Sequence, residues 1–399
     1  MRKVYITGAK RTAIGALGGS LKDVSAVQLG VTASKAAMEH SGVSPENVDE
    51  TIVGCILTAG HGMGPGRQVS IHSGVPEEKP GYTINMLCGS GMKSVMIGAT
   101  DIMLGEAEIV LAGGMENMSQ APYLLKQGRF GYRLGHGEIL DHMVLDGLTD
   151  VFNNYHMGVT AENLAKKHAL SRQEQDEFAL TSQKKAKTAI ENGRFKDEIV
   201  PVVIKSRREE IVFDTDEHPR DTTLEKLGKL RPAFDREGTV TAGNASGIND
   251  GASMTVIASE DAVKANGMNP LAEIVAFSQA GVDPAYMGIG PVPAIRRLLE
   301  KTGVGIRDVG LFELNEAFAA QSLAVLRSIA EENGVSTDWL LERTNVNGGA
   351  IALGHPIAAS ANRIMVTLLY EIEKRNIEIG IASLCIGGGM GTAVMLKRV

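Results

Sequence analysis

Short apolar runs alternate with longer helical patterns along most of this chain. "KVYITGA" at the start reads as a strand. "EIVLAGG" (108–114) and "IGIASLCI" (379–386) are nearly unbroken apolar runs, the pattern of strands covered on both faces. The segment ending "DIMLG" is small and apolar all round, which predicts a buried helix stopped by Gly105. "SRQEQDEFALTSQKKAKTAIENG" (171–193) predicts a surface helix, opened by a Ser171–Glu174 capping box and ended at Gly193.

The pattern also repeats. "AAMEHSGVSPENVDETIVGCI" (36–56) parallels "RRLLEKTGVGIRDVGLFELNE" (296–316): helix end, Gly stop, polar turn, apolar strand. Residues 85–115 parallel 347–390, each a Gly-rich loop, a buried helix and a strand ending in glycines. Alternation of this kind predicts an α/β protein of duplicated βαβαβ halves with largely parallel sheets. Between the repeats the character changes to charged and turn-rich, so an inserted lobe is expected over 121–249. The halves are then 1–120 with 250–270, and 271–399. Basic clusters in the lobe (Lys184, Lys185, Lys187; Lys205, Arg207, Arg208) read as solvated surface.

Composition narrows the function. The chain has 399 residues, 43% hydrophobic, with a net charge of −7, which argues against a general nucleic-acid binder. Three cysteines, without C-x-x-C, and scattered histidines give no disulfide framework and no structural metal site. No stretch reads as a signal peptide or a bilayer span, so a cytoplasmic protein without membrane attachment is expected.

Three segments could carry chemistry, all at C-terminal strand ends, where α/β sheets hold ligands. In "NMLCGSGMKS", Cys88 precedes a helix whose unpaired N–H groups should lower its pKa, and Gly89 and Gly91 would let a substrate carbonyl approach. A small buried cysteine at a helix start is an equally good reading of that motif alone. In "NVNGGAIALGHPIAASANRI", His355 occupies the place in the second repeat that Cys88 holds in the first. In "CIGGGMG", Cys385 ends a strand and Gly387–Gly389 could form an anion-binding nest. Cys55 reads as a core residue in mid-strand. In "LFELNEAFAAQ", Asn315 could hold a water, and Glu316 could cap a helix.

Taken together, "NMLCGSGMKS", "NEAFAAQ", "NGGAIALGHP" and "CIGGGMGTA" resemble the signature blocks of the thiolase family, in family order and essentially end to end. "YHMG" and "VDPAYMGIGPVPA" are most similar to its short-chain, biosynthetic branch. The resemblance implies a layered α-β-α-β-α core with a CoA-binding loop domain at 121–249. It implies condensation of two acetyl-CoA to acetoacetyl-CoA and CoA, with the reverse thiolysis and no cofactor or metal. By resemblance Cys88 forms the acetyl-enzyme, His355 takes its proton, and Cys385 deprotonates the second acetyl-CoA. The enolate oxyanion would be held by His355 and a water on Asn315, the tetrahedral one by the N–H groups of Cys88 and Gly387. Ser246, flanked by Ala245 and Gly247, would bond pantetheine. Leu148, His156, Met157, Phe234, Met287, Ala317 and Phe318 would line the channel, and Arg220 would lie near the adenine and phosphates. A homotetramer is implied as well.

One departure stands out. The family commonly reads G-H-P-x-G-A-S-G-A-R, whereas "GHPIAASANR" carries Ala358 and Ala361 at the usual glycines. Tight helix contacts resist even a methyl, so a shifted His355 loop is a possible consequence. Alternatives are a degradative 3-ketoacyl-CoA thiolase of longer chains and a CoA-thioester-binding protein without catalysis.

Overall fold

The computed structural model describes residues 2–205 and 209–399, so the predicted surface residues Arg207 and Arg208 lie outside the described residues. The first half contains strands β1 (Val4–Thr12), β2 (Glu50–Gly54), β3 (Gly81–Ile84), β4 (Ile109–Asn117) and β5 (Asn249–Ser259), with helices α1 (Ala26–Ser41) and α2 (Ser90–Leu104). Helices α3 (Met157–Lys167) and α4 (Arg172–Glu191) lie between β4 and β5. The second half contains β6 (Ala272–Gly281), β7 (Leu311–Leu314), β8 (Ile379–Ile386) and β9 (Met390–Arg398), with α5 (Pro291–Thr302), α6 (Ala319–Asn333) and α7 (Ile357–Lys374).

The duplication is visible in strand order. The first half runs β3-β2-β4-β5-β1, and the second runs β7-β8-β9-β6. Where the second half would place its third strand, Thr344 bridges Phe312 in parallel. Both halves therefore follow the order third, second, fourth, fifth, first. The expectation of largely parallel sheets needs correction. The second, third and fourth positions pair in parallel, but the fifth strand of each half runs antiparallel to both its neighbours. In the second half the reason is local: β8 returns as β9 through Gly387–Gly389, a hairpin too short for a parallel crossover.

The half-sheets join along β1 and β6 at only two paired positions, Tyr5–Glu273 and Ile6–Ala272. Helices hold the rest together. One core contains Met92, Val95 and Ile102 of α2, Ile364, Met365 and Leu368 of α7, and apolar residues from both half-sheets. A second core sets α1 against the outer face of the first half-sheet, and a third sets α5 and α6 against that of the second. The layers are thus helix, sheet, helix pair, sheet, helix, as the resemblance implies. Burial from Ile357 to Ile372 explains the largely apolar composition of α7, while α2 buries one side and exposes Thr100 and Leu104 near its end.

The region between β4 and β5 is tied to the first half by a buried charge cluster. Arg11 of β1 donates to Glu198 (2.6 Å) and to both oxygens of Asp216 (2.7 and 2.9 Å). The capping box at Ser171 forms as expected. Helix α4 buries one face, including Ala179, Ser182 and Ala186, so it is only partly a surface helix.

Candidate active site

Cys88 and His355 occupy equivalent places in the repeat, each two residues before a central helix begins, α2 at Ser90 and α7 at Ile357. The loop carrying Cys88 is held locally. Leu87 adopts a left-handed φ of 49°, which costs a branched residue energy and needs fixed surroundings. Its N–H donates to Asn85 Oδ1 (2.9 Å), and the Ser90 hydroxyl accepts from Met86 N (2.8 Å) while donating to Leu87 O (2.7 Å). Glycine is required beside the cysteine for a reason different from the one expected. A Cβ at Gly89 would stand 2.4 Å from Ile386, and one at Gly91 would stand 2.6 Å from the carbonyl of Ala358. These glycines let the second half come close.

The same contact locates one of the two departures from the family pattern. Ala358 and Ala361 are both fully buried, but Gly91 and Gly114 lie against the backbone of Ala358, while Ala361 packs in the core shared by α2 and α7. Ala358 N donates to Glu116 (3.2 Å).

His355 is anchored by its own N–H, which donates to Asn249 Oδ1 (2.9 Å), and its ring Nδ1 lies 2.5 Å from Ser360 Oγ. Gly354 turns the chain with φ of 103° at a point where a Cβ would collide with Asn249. Cys385 is the penultimate residue of β8. The glycines after it form the hairpin turn to β9, with positive φ at Gly388 and Gly389, and the predicted nest is instead this turn. Its first N–H, on Gly387, reaches the Cys88 sulfur, as does the N–H of Cys88 itself.

One cavity of about 300 Å³ gathers the predicted residues. Cys88, His355, Cys385 and Gly387 line it, with Leu148, Met157, Met287, Ala317 and Phe318 around them. Ala245, Ser246, Gly247, Arg220, His156 and Phe234 complete the predicted wall. His156 stacks on Phe234 at 4.6 Å, and Phe234 meets Phe318 edge-on at 6.1 Å. Asn315 is the exception: it lies outside the lining, buried, and neither atom of its amide has a hydrogen-bond partner among the described residues. Glu316 does not cap α6, the helix that follows it. It accepts from Ser182 Oγ (2.7 Å), Asn345 Nδ2 (2.9 Å) and Ile351 N (3.3 Å), and so fixes the loop leading to His355. Cys55 is buried but lies just past the end of β2, with its thiol on Glu116.

Met118, His218, Ile248 and Ile357 also line the cavity and escaped the sequence reading. The signal for His218 was present, since it stands two residues before Arg220 in a lobe otherwise read as surface. A second cavity, of about 200 Å³, shares His218, Arg220 and Ala242 with the first and adds Lys226. The two cavities adjoin at these shared residues, and Asp221 lines the second beside Lys226.

Electrostatics correct one expectation. The helix terminus does not lower the Cys88 pKa on balance. Burial pushes the thiol up to about 11, against the opposing pull of the Gly387 and Cys88 N–H groups. Burial also raises the Cys385 thiol, with the nearby Cys88 charge adding to it. His355 is lowered to about 4, by burial first and by Arg363 second. At neutral pH the site therefore holds two thiols and a neutral imidazole, an arrangement suited to proton transfer on demand.

Comparison with known proteins agrees with this architecture. Residues 4–261 match the family described as thiolase, N-terminal domain, and residues 268–398 match thiolase, C-terminal domain. The chain is 53% identical to the acetyl-CoA acetyltransferase of Thiocystis violacea, over 99% of both chains. The crystal structure of the Bacillus anthracis acetyl-CoA acetyltransferase superposes with a TM-score of 0.95 at 48% identity, covering 100% of this chain and 99% of that one. Human mitochondrial 3-ketoacyl-CoA thiolase in complex with CoA gives 0.93 at 46% identity, with 100% and 98% covered. With both halves matched and full-length relatives at about half identity, the chain belongs to the thiolase family.

Proposed function

We propose that this protein is an acetyl-CoA acetyltransferase, condensing two acetyl-CoA to acetoacetyl-CoA and CoA and running the reverse thiolysis. The observation that carries the reading is the meeting of Cys88, His355, Cys385 and Gly387 in one cavity, with loops supplied by both halves. The Cys88 sulfur attacks the thioester carbonyl as its proton passes to His355, and the carbon–sulfur bond to CoA breaks. The protonated imidazole returns that proton to the leaving CoA thiolate, and Cys88 keeps the acetyl group. The imidazole, neutral again, then takes the Cys385 proton, and the resulting thiolate removes a proton from the methyl of a second acetyl-CoA. The carbanion attacks the acetyl carbonyl, and the Cys88 sulfur leaves as a thiolate that recovers its proton from the imidazolium.

The N–H groups of Cys88 and Gly387 point at the nucleophilic sulfur and suit the oxyanion formed beside it. Asn315, with an unpartnered amide behind the cavity, suits a bound water that would assist His355 at the enolate. Acyl transfer and carbon–carbon bond formation by this route need no cofactor beyond the thioesters. Residues 121–249 act as the CoA-binding lobe, with Ser246 at pantetheine and Arg220 and Lys226 at the phosphates. The cavity must hold pantetheine as well as acyl group, so its roughly 300 Å³, narrowed by Met157, Met287 and the His156–Phe234 stack, favours a short acyl chain.

Three free cysteines suit a reducing cytoplasm. Among the described residues no helix is long and apolar enough to cross a membrane. The segment 123–152 exposes Tyr123, Leu125, Phe130, Leu134, Val151 and Phe152, a surface that further copies of the chain would cover in a homotetramer.

The test is a condensation assay with intact mass on wild type, Cys88→Ser and Cys385→Ser. Cys88→Ser forms no stable acetyl adduct, while Cys385→Ser acetylates but does not condense. Wild type incubated with acetyl-CoA and showing no adduct on Cys88 would favour a binding protein without catalysis. Faster thiolysis of a long 3-ketoacyl-CoA than of acetoacetyl-CoA would move the assignment to the degradative branch.

A further inference from the structure

Cys88 is half-buried and protonated, so its activation depends on a lone pair at the correct nitrogen of His355. Which nitrogen carries that lone pair is fixed outside the cavity. Ser360 Oγ donates to the carbonyl of Pro356 one turn back (3.0 Å). A hydroxyl has one proton, so towards His355 Nδ1, at 2.5 Å, the same oxygen accepts. The Nδ1 atom must then hold the ring proton, and Nε2 keeps its lone pair.

One turn further along α7 lies Arg363, 2% exposed. All three of its guanidinium nitrogens lack a hydrogen-bond partner among the described residues, and its nearest acid, Glu313, stands 3.7 Å away with both oxygens likewise unpartnered. The neighbouring acids are committed elsewhere: Glu198 and Asp216 serve Arg11, and Glu371 serves Arg194 and Arg375. Arg363 is therefore a poorly compensated buried positive charge on the same helix as Ser360, three residues further on. The other titratable groups around the His355 ring are Cys88 and Cys385 in the cavity, His156 and His218 along its wall, and Glu116 beneath the N–H of Ala358.

We infer that Ser360 and Arg363 are positioning residues that together set the state of His355, Ser360 by fixing its tautomer and Arg363 by opposing a second positive charge on the ring. Neither touches the acyl group. Burial first and Arg363 second hold the His355 ring below the usual imidazole range, which agrees with the second role. The inference deepens the proposed function and rests on His355 acting as a base.

The test combines nitrogen NMR of the full-length, histidine-labelled protein with the pH dependence of Cys88 acetylation, followed by intact mass under single turnover. The NMR readout needs no substrate, so it separates a failure of this inference from a failure of the proposed reaction. Wild type shows His355 neutral and protonated at Nδ1. Ser360→Ala loses that preference and acetylates Cys88 at least tenfold more slowly, and Ser360→Thr, which keeps the hydroxyl, restores both. Arg363→Gln moves the acid limb of the acetylation profile to higher pH, whereas Arg363→Lys leaves it near the wild-type position. If Ser360→Ala keeps the Nδ1 proton and the wild-type rate, the role of Ser360 is refuted. If Arg363→Gln leaves the acid limb unmoved, the role of Arg363 is refuted, and should that variant not fold, the Ser360 pair decides the inference alone.

Discussion

Glu116 offers a perturbation whose pH dependence follows from its surroundings. It is the penultimate residue of β4, fully enclosed, and its carboxylate accepts from the N–H groups of Ile56 (3.2 Å), Leu57 (3.0 Å) and Ala358 (3.2 Å) and from the thiol of Cys55 (3.8 Å). It thereby links the exit of β2 in one half to the first turn of α7 in the other. In Glu116→Gln the shape is kept, but one oxygen becomes an amide NH₂. One carboxylate oxygen serves Leu57 and the other serves Ile56 and Ala358, so either orientation sets the NH₂ against a backbone N–H. A buried donor left unpaired costs about 1–3 kcal/mol.

The wild-type carboxyl contributes a term that varies with pH. Burial raises it from about 4.5 to about 7, although the hydrogen bonds it accepts pull the other way. A carboxyl raised on folding stabilises fully below its unfolded value, and this contribution is lost as pH rises through about 7. The span corresponds to roughly 3 kcal/mol. Glutamine has no such term, and titrations elsewhere cancel between the two proteins. The stability gap is therefore widest near pH 5 and narrows by roughly 3 kcal/mol towards pH 8. Guanidinium midpoints of both proteins at intervals across that range measure it. A gap that stays constant, or grows with pH, refutes the assignment of a raised, buried carboxyl to Glu116.

Three further outcomes are expected. Gly91→Ala sets a methyl 2.6 Å from the Ala358 carbonyl, so it destabilises by about 1–3 kcal/mol or more and slows Cys88 acetylation; an unchanged melting temperature would show that the helix pair has slack. Cys88, with its thiol near 11, holds roughly 300-fold less thiolate at neutral pH than a free cysteine near 8.5, so iodoacetamide should label it slowly, at a rate that climbs with pH; labelling as fast as a free thiol would overturn this. Arg11→Met leaves Glu198 and Asp216 buried without their cation, at a cost of about 3–5 kcal/mol, and hydrogen exchange should rise around residues 195–217; exchange unchanged there would mean that the cluster does not hold the lobe.

The parts legible in the sequence were those encoded by local pattern. The Ser171–Glu174 box, the Gly105 stop and the apolar continuity of β4 and β8 each report on a few neighbouring residues. The repeat carried more, because equivalence of Cys88 and His355 along the chain became proximity in space. What escaped depended on depth. A helix start just after Cys88 promised a low thiol pKa, but the sequence does not display the burial that reverses the sign. Glu316 looked like a helix cap because its true partners, Ser182 and Asn345, lie far away along the chain. His218 sat in a charged lobe, and its one marker, Arg220 two residues on, is lost among the surface charges around it. The glycines beside Cys88 were noticed, but the surface they accommodate belongs to residues some 270–300 positions later.

The seam between the halves has a mechanical consequence. Only two strand positions bond across it, so no extended ladder of backbone hydrogen bonds dictates how far apart the copies stand. That spacing is left to the bulk of side chains on α2 and α7, the helices whose leading ends present the sulfur and the imidazole. A methyl gained or lost deep in the interior is thus converted into a change of reach between the Cys88 sulfur and the His355 imidazole. Turnover in such an enzyme doubles as a gauge of how well its centre is filled.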